Sequence, residues 1–190
     1  MSAALIIIDL IEDLAGPKGR ANHCREQIVT RDVIAHVNAA AAYARVRKIP
    51  VIWLRTGFAD NYHDIPRHSP LFNQLKHIGA LRLNNGGCHW LAGLEVKTED
   101  LCLEKKGLSA FAGNNLLAWL QQHRCHHLLL GGISTPLAIE STARQAHDAG
   151  LQVTVLQDLC AAPTEEIHQQ SLETLQNLGE VMRSQAWMRG

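Results

Sequence analysis

Hydrophobic positions along the chain alternate between two spacings. A continuous apolar run with β-branched residues spans 4–9 and ends at an acid, a pattern typical of a strand buried on both faces of a parallel sheet. A second run, at 51–55, follows a proline. Between the two runs, apolar residues recur at helical spacing as far as Lys48, namely Val29, Val33, Val37, Ala41 and Ala44. Strand, helix and strand in this order predict a β-α-β unit.

The same alternation returns after residue 100. The predicted elements are strands at 100–104, 126–130, 152–157 and 181–184, and helices at 115–123, 136–149 and 165–178. Strands that alternate with helices of this length predict an α/β fold of three layers, α/β/α, around a doubly wound parallel sheet of six strands. Residues 56–100 lack sustained periodicity, so we interpret them as a long excursion with short helical pieces.

Length and composition favour one domain over residues 1–190, because a hydrophobic fraction of 46% suffices for one core and no linker or repeat divides the chain. Eighteen basic residues balance eighteen acidic ones, which argues against nucleic acid or a membrane surface as a partner and favours a small molecule. The first apolar run is too short for a signal peptide. Five widely spaced cysteines, an odd number, predict a reducing cytoplasm without disulfides or structural zinc.

Two predicted strands end at charged residues, and ligands bind at the carboxyl ends of strands in sheets of this kind. Asp9 closes the first strand, and we expect its carboxylate to point into the crevice as an acid or base; a turn or capping aspartate is the alternative. Lys105 follows the third strand at the equivalent end, within reach of such an acid. Taken alone, either Lys105 or Lys106 could be a surface lysine.

A tight turn from Gly131 to Ala138 joins a predicted strand to a helix. Pro136 suits the first helical position with Thr135 as N-cap, which puts Ala138 in the first turn, where backbone N–H groups have no intrahelical acceptor. Such donors form an anion or oxyanion site, and a well-capped helix is the alternative interpretation. No cofactor is expected, and a dinucleotide is disfavoured because the first strand runs into an acid rather than a glycine-rich turn.

Together these segments resemble the isochorismatase-like hydrolases, which include nicotinamidases, N-carbamoyl amidohydrolases and isochorismatase. The resemblance spans nearly the whole chain. The residues that carry it are the strand ending at Asp9, Lys105 with 109–111, the segment 132–143, the segment 158–162 and His168. It implies that Asp9 and Lys105 are the catalytic aspartate and lysine. It also implies a cis peptide between Ile133 and Ser134, which directs the N–H groups of Ser134 and residue 138 into an oxyanion hole.

Position 138 departs from the family pattern. In the amidases of the family this residue is the nucleophilic cysteine, and Ala138 cannot form their thioester. Isochorismatase also lacks the cysteine, because cleaving an enol ether needs only a proton for the vinyl carbon and water for the oxocarbenium ion.

Three hypotheses follow from the alanine. The first is a cysteine-independent hydrolase of the isochorismatase type, which acts on a small carboxylated metabolite with Asp9 as general acid and Lys105 positioning either Asp9 or the substrate. The second is a non-catalytic binding or regulatory protein on a disabled amidase scaffold. The third is an amidase that depends on Cys160, although we expect that thiol to be packed and inert.

Further predictions concern the pocket, metals and assembly. The residues predicted to contact substrate are Ile133, Ser134, Thr135, Trp53, Arg55 and Phe111, with Trp90 as a further candidate and core packing as the alternative. Asp60, His63 and His68 resemble part of a nicotinamidase metal site, but the Asp-x-His spacing is absent and no metal is expected. The resemblance also implies a homodimer or homotetramer.

Overall fold

Six parallel strands form one sheet in the computed structural model, which describes residues 2–190. The strands are β1 (Ser2–Ile8), β2 (Val51–Thr56), β3 (Leu101–Lys105), β4 (Cys125–Ile133), β5 (Gln152–Ala161) and β6 (Glu180–Met182). Their order across the sheet is β3-β2-β1-β4-β5-β6. The predicted α/β fold with a six-stranded parallel sheet is confirmed.

Helices cover both faces of this sheet. They are α1 (Glu12–Ala15), α2 (Arg25–Thr30), α3 (Val33–Val46), α4 (Pro70–His77), α5 (Leu116–Gln122), α6 (Glu140–Asp148), α7 (Glu165–Leu175) and α8 (Ser184–Arg189), with a π-helical turn at Thr135–Ile139. Leu5 and Ile7 share one apolar cluster with residues of α2 and α3, whereas Ile6 and Ile8 share another with residues of α5, α6 and α7. Both faces of β1 are therefore buried, which explains its unbroken apolar run.

The strand order reverses beside β1, since β2 lies on one side of it and β4 on the other. Ile8 pairs with Leu54 of β2 and with Gly132 of β4, so the carboxyl ends of the three central strands are nearly level. Gly132 has a φ of +117°, and a Cβ there would lie 2.0 Å from the carbonyl oxygen of Ile8. Such a reversal leaves a crevice at the carboxyl edge of the sheet.

The helix expected to continue from Val29 to Lys48 is divided into α2 and α3. Asp32 adopts the left-handed conformation, with a φ of 52°, which aspartate tolerates better than most residues. Val29 consequently belongs to α2 and is 62% exposed rather than part of the buried stripe. The short helices α1 and α8 were not predicted, because neither is long enough to show a helical period.

The helix predicted at 136–149 begins instead with the π-helical turn, followed by α6. Ser134, not Thr135, occupies the N-cap position of that turn. The hydroxyl of Thr135 lies 2.8 Å from Nδ1 of His168, so it is engaged in a tertiary hydrogen bond instead of capping the helix.

The excursion at 56–100 has a small core of its own. Ser69 is the N-cap of α4, and its Oγ accepts a hydrogen bond from the amide of Phe72 at 3.3 Å. The buried members of this third cluster are Ile11, Phe58, Tyr62, Ile65, Phe72, Ala80, Leu81 and Cys88. Across residues 2–190, no helix combines the length and apolar composition needed to cross a membrane.

Candidate active site

Asp9 and Lys105 form an ion pair at the carboxyl edge of the sheet. Asp9 follows β1, and Lys105 ends β3 opposite Thr56, the last residue of β2. The distance from Lys105 Nζ to Asp9 Oδ2 is 2.8 Å, and the two residues are 0% and 4% exposed. Asp9 has a φ of 60°, and its amide donates to the carbonyl oxygen of Leu54 at 2.8 Å. This turn places the carboxylate above the neighbouring strand.

Thr56 connects the two charged groups. Its amide donates to Asp9 Oδ1 at 2.6 Å, and its hydroxyl lies 3.0 and 3.1 Å from the two carboxylate oxygens. The same hydroxyl accepts a hydrogen bond from Lys105 Nζ at 2.7 Å. Every group that contacts the carboxylate is a donor. Asp9 therefore acts as a hydrogen-bond acceptor and forms an ion pair with the ammonium of Lys105.

The ammonium of Lys105 is fully occupied by the protein. Besides Asp9 and Thr56, Nζ lies 2.8 Å from the carbonyl oxygen of Gly107 and 3.0 Å from that of Leu108. An ammonium has three protons, and these four acceptors use all of them. Of the two roles left open by the sequence, positioning Asp9 therefore agrees with the geometry better than binding a substrate carboxylate.

The turn after β4 supplies the opposite wall. The peptide between Ile133 and Ser134 is cis, as the resemblance implies. The amides of Leu137 and Ile139, on either side of Ala138, both donate to the carbonyl oxygen of Ser134 at 3.2 Å. Ala138 is 2% exposed, and its side chain is a single methyl group.

A hydrogen-bonded chain supports this turn from behind. Nη2 of Arg31 lies 2.9 Å from Nε2 of His168, and Nδ1 of the same ring contacts the hydroxyl of Thr135. A guanidinium only donates, so Nε2 is the acceptor and Nδ1 carries the proton. Burial, followed by the nearby Arg31 charge, lowers the pKa of His168 to about 4.

A cavity of about 410 Å³ lies between the turn and the excursion. Asp9, Thr56, Ile133, Ser134 and Ala138 line its inner end. The residues that line the rest are Leu14, Arg20, Ala21, His23, Cys24, Leu71, Phe72, Gln74, Leu75, Ile78, Leu81, Leu108, Leu137 and Pro163. The carboxylate of Asp9 thus faces the crevice, as predicted. The excursion at 56–100 provides much of the cavity wall.

Besides the further candidate Trp90, four residues predicted to contact substrate are not among the residues of 2–190 that line this cavity. Trp53 is completely buried, and its Nε1 donates to Asp100 Oδ2 at 2.8 Å on the α3 side of the sheet. Arg55 pairs with Glu104 at 3.1 Å. Phe111 packs in the cluster with α5 and α6, and Thr135 contacts His168 instead. For these four positions the structure favours packing or positioning over substrate contact.

The thiols near the site are neutral at physiological pH. Burial raises the pKa of Cys160 to about 12, and its Sγ lies 3.5 Å from the carbonyl oxygen of Leu156. Cys24 lines the cavity, which the sequence did not indicate, but burial raises its pKa to about 12 as well. Since the thiolate is the nucleophilic form, burial makes both thiols poor nucleophiles.

The candidate metal residues have other partners. Asp60 accepts a hydrogen bond from Asn84 at 3.1 Å, and His63 Nδ1 lies 2.7 Å from Asn61 Oδ1. His68 is exposed. Within residues 2–190, no three histidine, cysteine or acidic side chains are grouped closely enough to hold a metal ion.

Sequence reasoning missed Thr56 and Asp13. Thr56 closes β2 beside Asp9, and the rule that selected Asp9 and Lys105, a polar residue at the carboxyl end of an apolar strand, would also have selected it. Asp13 is 2% exposed and accepts hydrogen bonds from the amide of Leu81 and from Arg20, both at 2.7 Å. No local pattern indicates this role, because Leu81 is 68 residues away from Asp13 along the chain.

A doubly wound α/β sheet that holds an aspartate-lysine pair and a helix-starting turn at its carboxyl edge is typical of α/β enzymes that bind small molecules at this edge. The chain belongs to the isochorismatase family of hydrolases, since residues 3–186 match the Isochorismatase domain.

Relatives of known name or structure agree with this assignment. The uncharacterized isochorismatase family protein YecD of Escherichia coli O157:H7 is 28% identical over 90% of this chain and 86% of its own. A probable inactive nicotinamidase of Arabidopsis thaliana is 27% identical over 94% of this chain and 90% of its own. The crystal structure of an isochorismatase-like hydrolase from Alkaliphilus metalliredigens has the same fold, with a TM-score of 0.85, 22% identity, and coverage of 100% of this chain and 98% of its own.

Proposed function

We propose that this chain is a hydrolase that works without a cysteine nucleophile and uses Asp9 as its acid-base residue. One observation carries the proposal: the cavity is lined by a carboxylate held by Lys105 and Thr56, whereas position 138 in the same cavity carries only a methyl group. The site retains the group that moves protons and lacks the group that would form a covalent adduct.

The reaction then proceeds by direct attack of water. Asp9 accepts a proton from a water molecule as the water oxygen bonds to the electrophilic carbon of the substrate. The bond to the leaving group breaks, and Asp9 returns the proton to that group. The N–H groups of Ser134 and Ala138 stabilise the negative charge that develops on the substrate oxygen. Lys105 balances the charge of Asp9 in the resting enzyme.

Cleavage of isochorismate to a dihydrodiol acid and pyruvate is the narrower form of this proposal. Asp9 would then start in its acid form and deliver a proton to the vinyl carbon before water adds. This form requires a proton on a carboxylate whose protein contacts are all donors. It also requires room for two substrate carboxylates beside Asp9, so it is the more demanding version chemically.

A binding or regulatory role on a disabled amidase scaffold is the second candidate. Ala138 favours it, and so does the similarity to a relative named as a probable inactive nicotinamidase. This role needs the cavity but makes no use of the ion pair as a proton carrier.

Turnover by the native chain, an Asp9→Asn variant and an Ala138→Cys variant separates these functions. The substrates are isochorismate, followed by pyruvate release, and a panel of small neutral amides and esters, followed by acid release. We expect turnover by the native chain that Asp9→Asn lowers about 10²- to 10⁴-fold. An inactive native chain, with amidase activity appearing only in Ala138→Cys, would support the disabled scaffold instead.

We also place this reaction in the cytoplasm. All five cysteines are free, and four are buried in the apolar interior, as is usual for proteins of a reducing compartment.

A further inference from the structure

Arg31 lies behind the candidate active site, at the junction of α2 and α3. It directly precedes Asp32, whose left-handed backbone divides the two helices. Its side chain is only 18% exposed and extends to the end of β5. There, Nε and Nη2 donate to the carbonyl oxygens of Cys160 and Gln157 at 3.3 and 3.1 Å. The break between the two helices therefore brings a guanidinium to the carboxyl edge of the sheet.

The end of β5 that Arg31 binds is irregular. Residues 156–159 of this strand lie opposite one residue of β4. A bulge of this kind takes backbone groups out of the ladder, and Arg31 supplies donors to Gln157 and Cys160 at this point. Cys160 is also the partner of Gly132, which directly precedes the cis peptide. Arg31 thus stabilises the strand that lies beside the start of the turn.

Arg31 also determines the tautomer of His168. Its Nη2 lies 2.9 Å from Nε2 of His168, a ring on α7 that is 0% exposed. Because a guanidinium only donates, the ring proton is on Nδ1, which lies 2.8 Å from Thr135 Oγ1. Without this donor, the ring proton is free to move to Nε2. Arg31 therefore keeps His168 as a donor to Thr135.

Thr135 joins these two residues to the turn. It directly follows Ser134, and it begins the π-helical turn that contains Ala138. Ser134 and Ala138 are the residues whose N–H groups the proposed reaction uses. Near the other end of the turn, Thr142 Oγ1 donates to the carbonyl oxygen of Ala138 at 2.7 Å. The turn is thus fixed at its start by His168 and near its end by Thr142.

Donors to a developing charge are effective only when they are held in place, and a displacement of about 1 Å can cost about 10²-fold in rate. We propose, on the basis of the hydrolase function above, that Arg31 and His168 are positioning residues. They act through Thr135 to orient the N–H groups of Ser134 and Ala138 towards the substrate. The alternative is that they only attach α7 to the sheet, which would affect stability and not turnover.

Two substitutions separate the two bonds of His168. The amide nitrogen of asparagine matches Nδ1 and can still donate to Thr135, whereas that of glutamine matches Nε2. On the best substrate among isochorismate and the amides and esters, His168→Gln should lower kcat about 30-fold with KM within about twofold. His168→Asn should restore kcat to within about threefold of the native value. Equal losses in the two variants would overturn the proposal.

A buried residue of the same helix provides the control. Leu175 is 1% exposed and ends α7, away from the turn. Leu175→Ala should lower the melting temperature but leave kcat within about twofold. Melting temperatures also establish that each variant is folded. A loss of kcat in Leu175→Ala as large as in His168→Gln would mean that the rate follows stability, and this would overturn the proposal.

A double variant tests whether His168 acts through Thr135. Thr135→Val removes the same hydrogen bond from the other side and should lower kcat as much as His168→Gln. The double variant should be no slower than either single variant, because both changes remove one interaction. Multiplied losses would show that the two residues act independently, which the proposed chain of bonds does not allow.

Nitrogen-15 NMR of the imidazole groups tests the step at Arg31. In the native chain the His168 proton should be on Nδ1. Arg31→Met should move part of the population to Nε2–H and lower kcat about fivefold. A native ring with its proton on Nε2, or an unchanged tautomer in Arg31→Met, would remove Arg31 from the proposal.

Amide hydrogen exchange tests the turn without any substrate. The amides of Leu137 and Ile139 both donate to the carbonyl oxygen of Ser134. Relative to the amides of β1, their exchange should be about tenfold faster in His168→Gln and unchanged in Leu175→Ala. Native exchange in His168→Gln would overturn the proposal whatever the turnover. Faster exchange in a chain that turns over none of the substrates would instead reject the hydrolase function, while confirming that His168 holds the turn.

Discussion

Asp9 and Asp100 are buried carboxylates paired with cations at opposite edges of one sheet. Asp100 precedes β3 and receives hydrogen bonds from Arg45 at 2.6 and 3.0 Å, from Trp53 Nε1 at 2.8 Å and from the amide of Lys97 at 3.0 Å. Burial alone would raise the pKa of Asp100, but these donors hold it below its ordinary value.

What separates the two carboxylates is access to a cavity. Asp100 has protein partners around both oxygens and is not in the lining that residues 2–190 provide, whereas Asp9 borders empty space that a substrate can enter. A buried ion pair alone is weak support for a functional site, since structural pairs also perturb charges. The cavity at the carboxyl edge is what makes Asp9, and not Asp100, the candidate catalytic residue.

The largest expected effect is on turnover in Asp9→Asn. Asparagine keeps the size of the side chain but cannot accept and return the proton, so the rate should fall about 10²- to 10⁴-fold on the best substrate of the panel. Steady-state kinetics measures this, and a melting temperature checks that the variant is folded. A loss below tenfold would remove Asp9 from its acid-base role.

Asp100→Asn should affect stability and not turnover, the reverse of Asp9→Asn. The change leaves the Arg45 charge without its partner, which should lower the free energy of unfolding by about 3 kcal/mol. Turnover per folded molecule should stay within twofold, since Asp100 is remote from the cavity. Urea denaturation and kinetics below the unfolding temperature measure the two quantities. A selective loss of turnover would mean that the comparison between the two edges is mistaken.

The buried histidine gives a smaller effect that depends on pH. The pKa of His168 is about 4 when folded, against an ordinary 6.5, so the unfolded chain binds the proton more readily and stability falls as the pH decreases from 6.5 towards 4. Between pH 7 and pH 5 this linkage costs about 2 kcal/mol. His168→Gln should reduce the pH dependence of unfolding by that amount. His68→Gln, at an exposed position, should not change it.

Thr56 should give the smallest change. Thr56→Val removes the hydroxyl that joins Lys105 to Asp9 but keeps the amide that donates to Asp9 Oδ1. As a positioning residue, Thr56 should affect kcat about tenfold with little change in KM, and Thr56→Ser should restore the rate. An equal loss in the serine and valine variants would indicate that the methyl group of Thr56, and not its hydroxyl, is what matters.

The elements that sequence predicted well are those with a local period. The apolar run of β1 and the residues that close β1 and β3 led directly to the fold, to Asp9 and to Lys105. The division between α2 and α3 was missed because one residue, Asp32, changes its backbone conformation inside an apolar period. Trp53 and Arg55 were assigned to the pocket by residue type, yet alternation along β2 turns them towards the α3 side and the loop near Trp90.

The cavity itself could not be predicted from the sequence. Its wall depends on long-range contacts, such as that of Asp13 with Leu81, which link segments without a shared pattern. Thr56 is the one lining residue that sequence reasoning missed and could have predicted. Its position at a strand end follows from the apolar run, but its side chain is uncharged, unlike those of Asp9 and Lys105.

The attachment of the excursion has a practical consequence. Hydrogen bonds from Phe58 to Leu81 and from Leu83 to Phe58, at 2.8 and 3.0 Å, and the bond from Leu81 to Asp13 fix the two ends of the stretch 58–83 beside the sheet. Asp9 and Lys105 are held by different bonds, those among the ends of β1, β2 and β3. The stretch between these two ends can therefore vary without breaking the contacts of Asp9 and Lys105. Laboratory evolution confined to Leu71, Leu75 and Ile78 should change which compounds enter the cavity while these contacts stay the same.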